Sequence, residues 1–427
     1  SRAPKPIPRS SPRAVSTAAF VSKTMPPGSA PISYNGTGRA PLGLTAKHIA
    51  ALPQQKIAER HPLSVTTPGV VHGWHDLHQR YGRRPWAGLF EQAIQAASEG
   101  FAVAPVAARE WALFQPVIAR DPAAAALYRA QAVPRAGEFF ANPALARVLE
   151  AIARHGPTAF YAGRIAQACA QAVQAQGGVL AEEDLASHQG NFCTPVSTRF
   201  RGAEIFECPP NTHGVAVLHA LAALEPLALD MASPATMVAM VQAMEAAMEH
   251  AKQTVADPAG NTVCTTVVDA EGFAITLMSS IFKRFGSGIA VAEGGFVLQN
   301  RGHGFSQPGH INAAAPGKRP FHTVVPGAAT RDGRLLAVLG VVGGAMQPQG
   351  QVQLLCRMLA AGEAPQAALD QPRWRLEGRR ILAIEAGMPA AISAALRAAG
   401  FQEPGSEGEL GGRSDFGGAQ CIVRLPD

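Results

Sequence analysis

The junction Asp257-Pro258-Ala259-Gly260-Asn261-Thr262 holds the residue types for one specific kind of acyl chemistry. A proline–glycine turn separates a helical stretch from a strand-like run, and Thr262 opens that run. Cutting the bond between Asn261 and Thr262 would leave Thr262 with both a hydroxyl and a free α-amine. Such an amine, with an ordinary pKa of roughly 8, takes the hydroxyl proton without a separate histidine. Position alone does not discriminate, because a threonine at the start of a strand is ordinary strand chemistry.

An acyl-transfer nucleophile also needs donors for the developing oxyanion. Consecutive glycines at a helix start expose backbone N–H groups suited to that task. Val342-Gly343-Gly344-Ala345, before a helical stretch at 348–361, is such an arrangement. The pair fits neither Gly-x-Gly-x-x-Gly nor a Gly-Lys-Ser/Thr loop, which argues against a nucleotide site. A tight strand-to-helix turn is its plain structural alternative. His72, His75 and His78 cluster, but no His-Glu-x-x-His pattern accompanies them, and no metal or cofactor is expected. Cysteines at 169, 193, 208, 264, 356 and 421 form no Cys-x-x-Cys pair and read as small buried thiols.

The elements that must position these residues follow from period and punctuation. Asn142-Pro143 caps a helix running to about Ala153, and Thr158 to Ala175 continues the helical period up to Gly177-Gly178. Residues 196–207 alternate around Arg201-Gly202 as a hairpin, and 214–224 and 234–253 are helical. After Asp257 the grammar changes. Thr262–Asp269 and Phe273–Ser279 flank Ala270-Glu271-Gly272, and Ala328–Thr330 and Leu335–Leu339 flank Arg331-Asp332-Gly333, both as hairpins. A strand at Ile381–Glu385, a helix at Pro389–Ala399 and a strand near Ala419–Arg424 complete the chain. Strand hairpins covered by helices fit an α+β fold, a four-layer αββα sandwich among the options.

The chain has 427 residues, 47% hydrophobic and 16% charged, enough for a substantial core. Its net charge of +6 is concentrated at the start: Arg2, Lys5, Arg9, Arg13 and Lys23 occur in residues 1–31 with no acid. The remainder is nearly neutral and lacks the basic stripe of a nucleic-acid binder. No run approaches the roughly 18 apolar residues of a membrane span. Residues 1–33 read as a basic disordered tail outside the core, and with no secretory h-region seen a cytoplasmic location is expected.

From Tyr34 onward the ordered motifs resemble the gamma-glutamyltransferase family of N-terminal-nucleophile hydrolases. Asn35-Gly36-Thr37-Gly38-Arg39-Ala40-Pro41 is similar to that family's arginine segment, and Thr67-Pro68-Gly69-Val70-Val71-His72-Gly73-Trp74 to its next block. Cys208-Pro209-Pro210-Asn211, Asn261-Thr262-Val263-Cys264, Phe285-Gly286-Ser287-Gly288, Leu298-Gln299-Asn300-Arg301-Gly302 and Pro316-Gly317-Lys318-Arg319-Pro320 follow in the family's order.

The resemblance implies the four-layer sandwich, and self-cleavage between Asn261 and Thr262 into a large part (34–261) and a small part (262–427). It implies Thr262 as nucleophile, Gly343 and Gly344 as oxyanion donors, and Ser280 as a hydroxyl beside the nucleophile. Arg39, Asn300, Arg301, His322 and Thr323 fall at its substrate-binding positions. The implied reaction is γ-glutamyl transfer or glutathione hydrolysis, with water or an amino acid as acceptor.

The match departs in two ways. Before Arg39 the family carries a longer stretch of core strands and helix, so the fold reads as truncated at the N-terminus. Gly304 stands where an aspartate meets the substrate amine, Phe282 replaces a polar residue, and His322-Thr323 replace a serine pair. These changes point to two alternatives: an amide acylase of the glutaryl- or cephalosporin-acylase type, or an unprocessed, inactive homologue with a binding or structural role.

Overall fold

The computed structural model describes residues 13–14, 16–22, 31–255, 261–404 and 416–425. Ten strands build the centre: β1 (Ser16–Ser22), β2 (Ile32–Gly36), β3 (Asn191–Cys193), β4 (Val196–Phe200), β5 (Ala203–Glu207), β6 (Asn261–Val268), β7 (Ala274–Phe282), β8 (Gly327–Arg331), β9 (Arg334–Val342) and β10 (Gly418–Val423). They form two five-stranded sheets, ordered β3-β2-β1-β7-β6 and β10-β9-β8-β5-β4. Every neighbouring pair in both is antiparallel.

The sheets pack face to face, and small side chains allow the close approach. A Cβ on Gly340 of β9 would lie 3.3 Å from Met278 Sδ and 2.5 Å from Cys264 Sγ, both on the opposite sheet. Thr276 Oγ1 donates across the gap to the Gly327 carbonyl at 3.2 Å. Outside the second sheet lie helices α4 (Gly214–Leu224), α5 (Pro234–Thr254) and α6 (Met346–Ala360). Leu221, Val241, Met244, Leu339 and Val352 form the core beneath them. On the other side, α1 (Val70–Tyr81) packs on β1 and β2, and Tyr34 Oη donates to Asp76 Oδ2 at 2.6 Å. Helices α2 (Pro143–His155) and α3 (Arg164–Gln174) extend this layer around Val71, Trp111, Ile152, Phe160 and Val173. The fold is the four-layer αββα sandwich of mixed helix and sheet.

Local sequence signals account for many boundaries. Asn142 caps α2 by accepting from Leu145 N at 3.1 Å, with Pro143 in the first turn. Arg201-Gly202 (φ 51° and 73°) and Asp332-Gly333 (φ 51° and 72°) turn their hairpins in the left-handed region, as two-residue turns matched to strand twist require. The helical period over 158–175 is broken, however, into Thr158–Tyr161 and α3 by Gly163 at φ 67°.

The N-terminus differs most from expectation. Residues 1–33 read as a tail outside the core, yet β1 is the central strand of the first sheet, paired with β2 (Phe20 opposite Ser33) and β7 (Ala19 opposite Leu277). Arg13–Ala14 pairs in parallel with Val297–Leu298. A seven-residue run such as Ser-Thr-Ala-Ala-Phe-Val-Ser has little period of its own, because a central strand takes its stability from both neighbours. Residues 1–12 and 23–30 lie outside the described residues.

Each sheet interleaves strands from both sides of the 261–262 bond. β1–β3 pair with β6 and β7, and β4–β5 with β8–β10. The proposed boundary therefore divides one folded body, and cleaved parts would remain joined through both sheets.

Three buried histidines give the fold a pH dependence. Burial pushes His188 and His213 down to about 3, and His322 well below its ordinary value, while it pushes the Glu207 carboxyl well above its own. Between pH 6.5 and 4.5, the ordinary values of His and Glu, the unfolded chain binds three protons at these histidines that the folded chain refuses. The folded chain keeps one at Glu207 that the unfolded chain releases. The net difference favours the unfolded state on acidification, by about 1.4 kcal/mol per pH unit for each uncompensated proton. Melting temperature is expected to fall from pH 7 to pH 5; an unchanged or rising value would contradict this.

Candidate active site

Thr262 is the second residue of β6 and is buried. Cys264 pairs with Met278 and Val263 with Ser279, and the register then shifts so that Asn261 pairs with Phe282, leaving Thr262 against the two-residue step Ser280-Ile281. This is a bulge, a common device for re-aiming side chains at a site. Along both strands the even-numbered residues turn toward the second sheet, so Thr262 and Ser280 share that face.

From the second sheet, β9 turns into α6 through Gly343 (φ 119°) and Gly344 (φ 63°), conformations that favour glycine. Met346 N and Gln347 N donate to the Gly343 and Gly344 carbonyls, each at 3.1 Å, starting the helix. In the first turn of α6, buried Gln347 donates Nε2 to Thr262 Oγ1 at 2.6 Å. This contact spans the two sheets and brings the candidate nucleophile within one helical turn of the glycine pair.

Gln347 has no place in the sequence reading. It belongs to the series Gln347, Gln349, Gln351 and Gln353, whose polar character suggests a solvated helix, but all four are buried. Gln349 and Gln353 donate to the Leu376 and Trp374 carbonyls at 3.1 and 2.9 Å and accept from the same residues' N–H groups. Gln351 donates to the buried Glu207. Pairing of two of these side chains with a strand edge was invisible without the fold.

A second group adjoins Ser280. Arg301 is fully buried, and its Nη2 donates to Ser280 Oγ at 2.7 Å and its Nη1 to Thr323 Oγ1 at 3.3 Å. Its guanidinium lies over the Phe282 ring, 4.2 Å from the centroid. Phe282 adopts φ 75°, and its N–H donates to Ser280 Oγ at 3.0 Å. His322 is also buried; its N–H donates to the Asn211 carbonyl at 2.8 Å, and burial together with the Arg301 charge keeps the imidazole neutral. Gly304 packs closely on this group: a Cβ there would lie 3.2 Å from Phe321 O and 3.8 Å from Phe282 Cζ.

The other expected substrate contacts sit differently. Asn300 uses both ends of its amide within the protein, accepting from Lys283 N at 3.1 Å and donating to the Glu59 carbonyl at 2.7 Å. This ties the loop after Leu298 to β7. Arg39 is exposed and donates to the Gly317 carbonyl at 3.1 Å. Gly317 begins the segment that leads to His322-Thr323. The side chain of Asn261 lies outside what is described. His72 lies tilted against Tyr161 with ring centroids 4.3 Å apart, and His78 bonds the Arg84 carbonyl at 2.8 Å, packing roles for two members of the histidine cluster. Among the described residues no helix is long and apolar enough to cross a membrane.

The model of the family described as gamma-glutamyltranspeptidase matches residues 23–263 and 258–427. A glutathione hydrolase-like YwrD proenzyme of Bacillus subtilis is 30% identical over 80% of this chain and 72% of its own length. An oxamate amidohydrolase proenzyme of Klebsiella pneumoniae is 31% identical over 82% and 75%. The crystal structure of a cephalosporin acylase from Bacillus halodurans superposes with a TM-score of 0.89 at 30% identity, covering 97% of this chain and 83% of that one. With the fold, the interleaved halves and the match across the chain, this protein belongs to the gamma-glutamyltranspeptidase family.

Proposed function

We propose that the chain is a self-cleaving amide hydrolase that works through an acyl-Thr262 intermediate. The observation that carries this reading is the Gln347–Thr262 hydrogen bond, which holds the hydroxyl beside the Gly343-Gly344 turn. In maturation, Thr262 Oγ attacks the Asn261 carbonyl carbon, and the carbon–nitrogen bond breaks as the nitrogen takes the hydroxyl proton. Water then hydrolyses the ester, leaving a carboxylate on Asn261 and a free α-amine on Thr262. In turnover that amine takes the Oγ proton while Oγ attacks a substrate amide carbonyl.

The Gly343 and Gly344 N–H groups hold the oxyanion, and Gln347 Nε2 steadies the charge developing on Oγ. Collapse expels the amine, which leaves with the proton. Water, or an amino acid in transfer, attacks the acyl ester and restores Thr262. Ser280 and Asn300 position the strand and loop around the nucleophile, and Arg39 stands at the outer end of the segment that carries Thr323.

Two acyl classes follow from the relatives. γ-Glutamyl transfer from a donor such as glutathione is supported by the relatives named glutathione hydrolases. Hydrolysis of another amide is supported by those named acylase and amidohydrolase. The substitutions around Ser280 favour the second. Incubation with γ-glutamyl- and glutaryl-p-nitroanilide tests the shared mechanism. Release of p-nitroaniline with an acyl mass on the 262–427 fragment is expected. Failure of a correctly cleaved protein to release it from either substrate, or acylation elsewhere, would reject it.

A further inference from the structure

The turn that carries Gly343 and Gly344 rests on the residues that open β10. A Cβ on Gly343 would lie 2.9 Å from Gly417 Cα and 3.2 Å from Gly417 N, and a Cβ on Gly417 would collide with the Val342 carbonyl oxygen. The two backbones therefore touch with no room for a side chain on either, just before Gly418 of β10 pairs with Val342 of β9. Phe416 extends the contact. Its ring packs with Met346, whose N–H donates to the Gly343 carbonyl at 3.1 Å. A shift of Phe416-Gly417 is thus passed directly to the glycine turn.

One side chain fixes where Phe416-Gly417 lies. Arg373 donates through Nη1 to the Phe416 carbonyl at 2.9 Å and to the Gly417 carbonyl at 3.4 Å, with its guanidinium 5.7 Å from the Phe416 ring centroid. Its Nε and Nη2 donate to the two Glu385 carboxylate oxygens at 3.0 and 2.9 Å. Glu385 Oε2 also accepts from Arg373 N, and Glu385 N donates to the Arg373 carbonyl, each at 2.9 Å. Such a two-pronged pair fixes direction as well as distance. The two side chains are only 16% and 5% exposed, so salt screens them little. The base of Arg373 is equally fixed, because Trp374 exchanges both backbone hydrogen bonds with the Gln353 amide of α6, at 2.9 and 3.1 Å. Arg373 is therefore anchored to α6 and grips the start of β10, while the glycine turn links α6 to β9, the partner of β10.

We propose that Arg373, held by Glu385, is a positioning residue for the oxyanion turn. It sets the Phe416-Gly417 backbone against Gly343, and through it the direction of the Gly343 and Gly344 amides. All three guanidinium nitrogens are engaged by protein groups, so the residue acts through the turn and not on a substrate. This rests on the acyl-Thr262 reading above. Direction matters because oxyanion donors work only when aimed at the place where the charge forms, and a misplacement of about 1 Å costs on the order of 100-fold in rate.

The test measures p-nitroaniline release by the autocleaved protein from γ-glutamyl- or glutaryl-p-nitroanilide, whichever the wild type turns over faster. Removing one partner of a buried pair strands the other, so the variant combines Arg373→Met with Glu385→Leu and leaves no orphan charge. It is expected to fold, to cleave before Thr262, and to lose about 10- to 100-fold in kcat with KM changed by less than about threefold. Arg373→Lys, which keeps a donor and the charge, is expected to lose less. The deciding readout is a cycle with Gly343→Ala. In that background, where the turn is already displaced, the double change is expected to lower kcat by less than about threefold, because both alterations act on one element. A merely structural pair would lower the melting temperature in both backgrounds without that coupling in kcat. Wild-type kcat in the double variant, or an equal loss in both backgrounds, would overturn the proposal and leave the acyl-Thr262 mechanism standing. If the double variant does not accumulate as folded protein, Arg373→Lys in the two backgrounds is read in the same way. A wild-type chain that neither cleaves nor releases p-nitroaniline removes the mechanism itself, and the proposal with it.

Discussion

Replacing Thr262 with alanine is expected to leave one uncut chain with no amide hydrolysis above background. The reason is that a single hydroxyl is assigned to both events. Thr262 Oγ attacks the preceding carbonyl during maturation and the substrate carbonyl during turnover, so neither can proceed without it. The substitution removes a hydroxyl and a methyl from a buried position whose hydroxyl receives Gln347 Nε2. Loss of this hydrogen bond would cost about 1–3 kcal/mol, too little to explain complete loss of cutting by unfolding. Thr262→Ser separates the roles further: it keeps the hydroxyl and is expected to cleave and to turn over slowly. Gel mobility, intact mass and melting temperature measured together distinguish lost chemistry from lost fold. A Thr262→Ala protein that still splits between Asn261 and Thr262 would refute the assignment.

Gly343→Ala is expected to have the second-largest effect, and to act mainly on rate. Gly343 sits at φ 119°, where an L side chain is strained, and an added Cβ would lie 2.9 Å from the Gly417 Cα. Strain of this kind costs about 1–3 kcal/mol in stability. The larger consequence falls on the chain reversal between β9 and α6, which sets the direction of the Gly343 and Gly344 amides. Loss of one oxyanion donor lowers kcat by about 100- to 1,000-fold. The expected variant is folded, melts a few degrees lower, and shows a depressed kcat with KM little changed. A variant of normal kcat would show that the glycine pair only shapes the turn.

Much of the scaffold was legible because its signals are local. The Asn142-Pro143 cap, the Arg201-Gly202 and Asp332-Gly333 turns and the hairpin after Thr262 each state their conformation within a few residues. The Gly343-Gly344 turn was equally legible, and it lies where the site is proposed. β1 was not, because seven mixed residues become a central strand only through partners at 32–36 and 274–282. Gln347 was hidden for the opposite reason: its polarity suggests solvent, whereas the fold buries it against Thr262. The basic tail misled in a similar way, since charge counted over residues 1–31 concealed the uncharged run at 16–22.

The substituted positions were visible individually, and their joint meaning was not. Phe282, the Arg301–Gly304 turn and His322 lie on separate segments of the chain. Only the structure places the Arg301 guanidinium over Phe282 and against Ser280. Asn300 shows the converse, with both ends of its amide engaged by Lys283 and Glu59.

The central claim is that Thr262 frees its own amine, and mass spectrometry with N-terminal sequencing of the purified protein tests it most directly. The account predicts two fragments that separate on a denaturing gel and stay together under native conditions, one of them beginning Thr262-Val263-Cys264-Thr265. A single intact chain that persists through prolonged incubation, or a cut at any other bond, would contradict it.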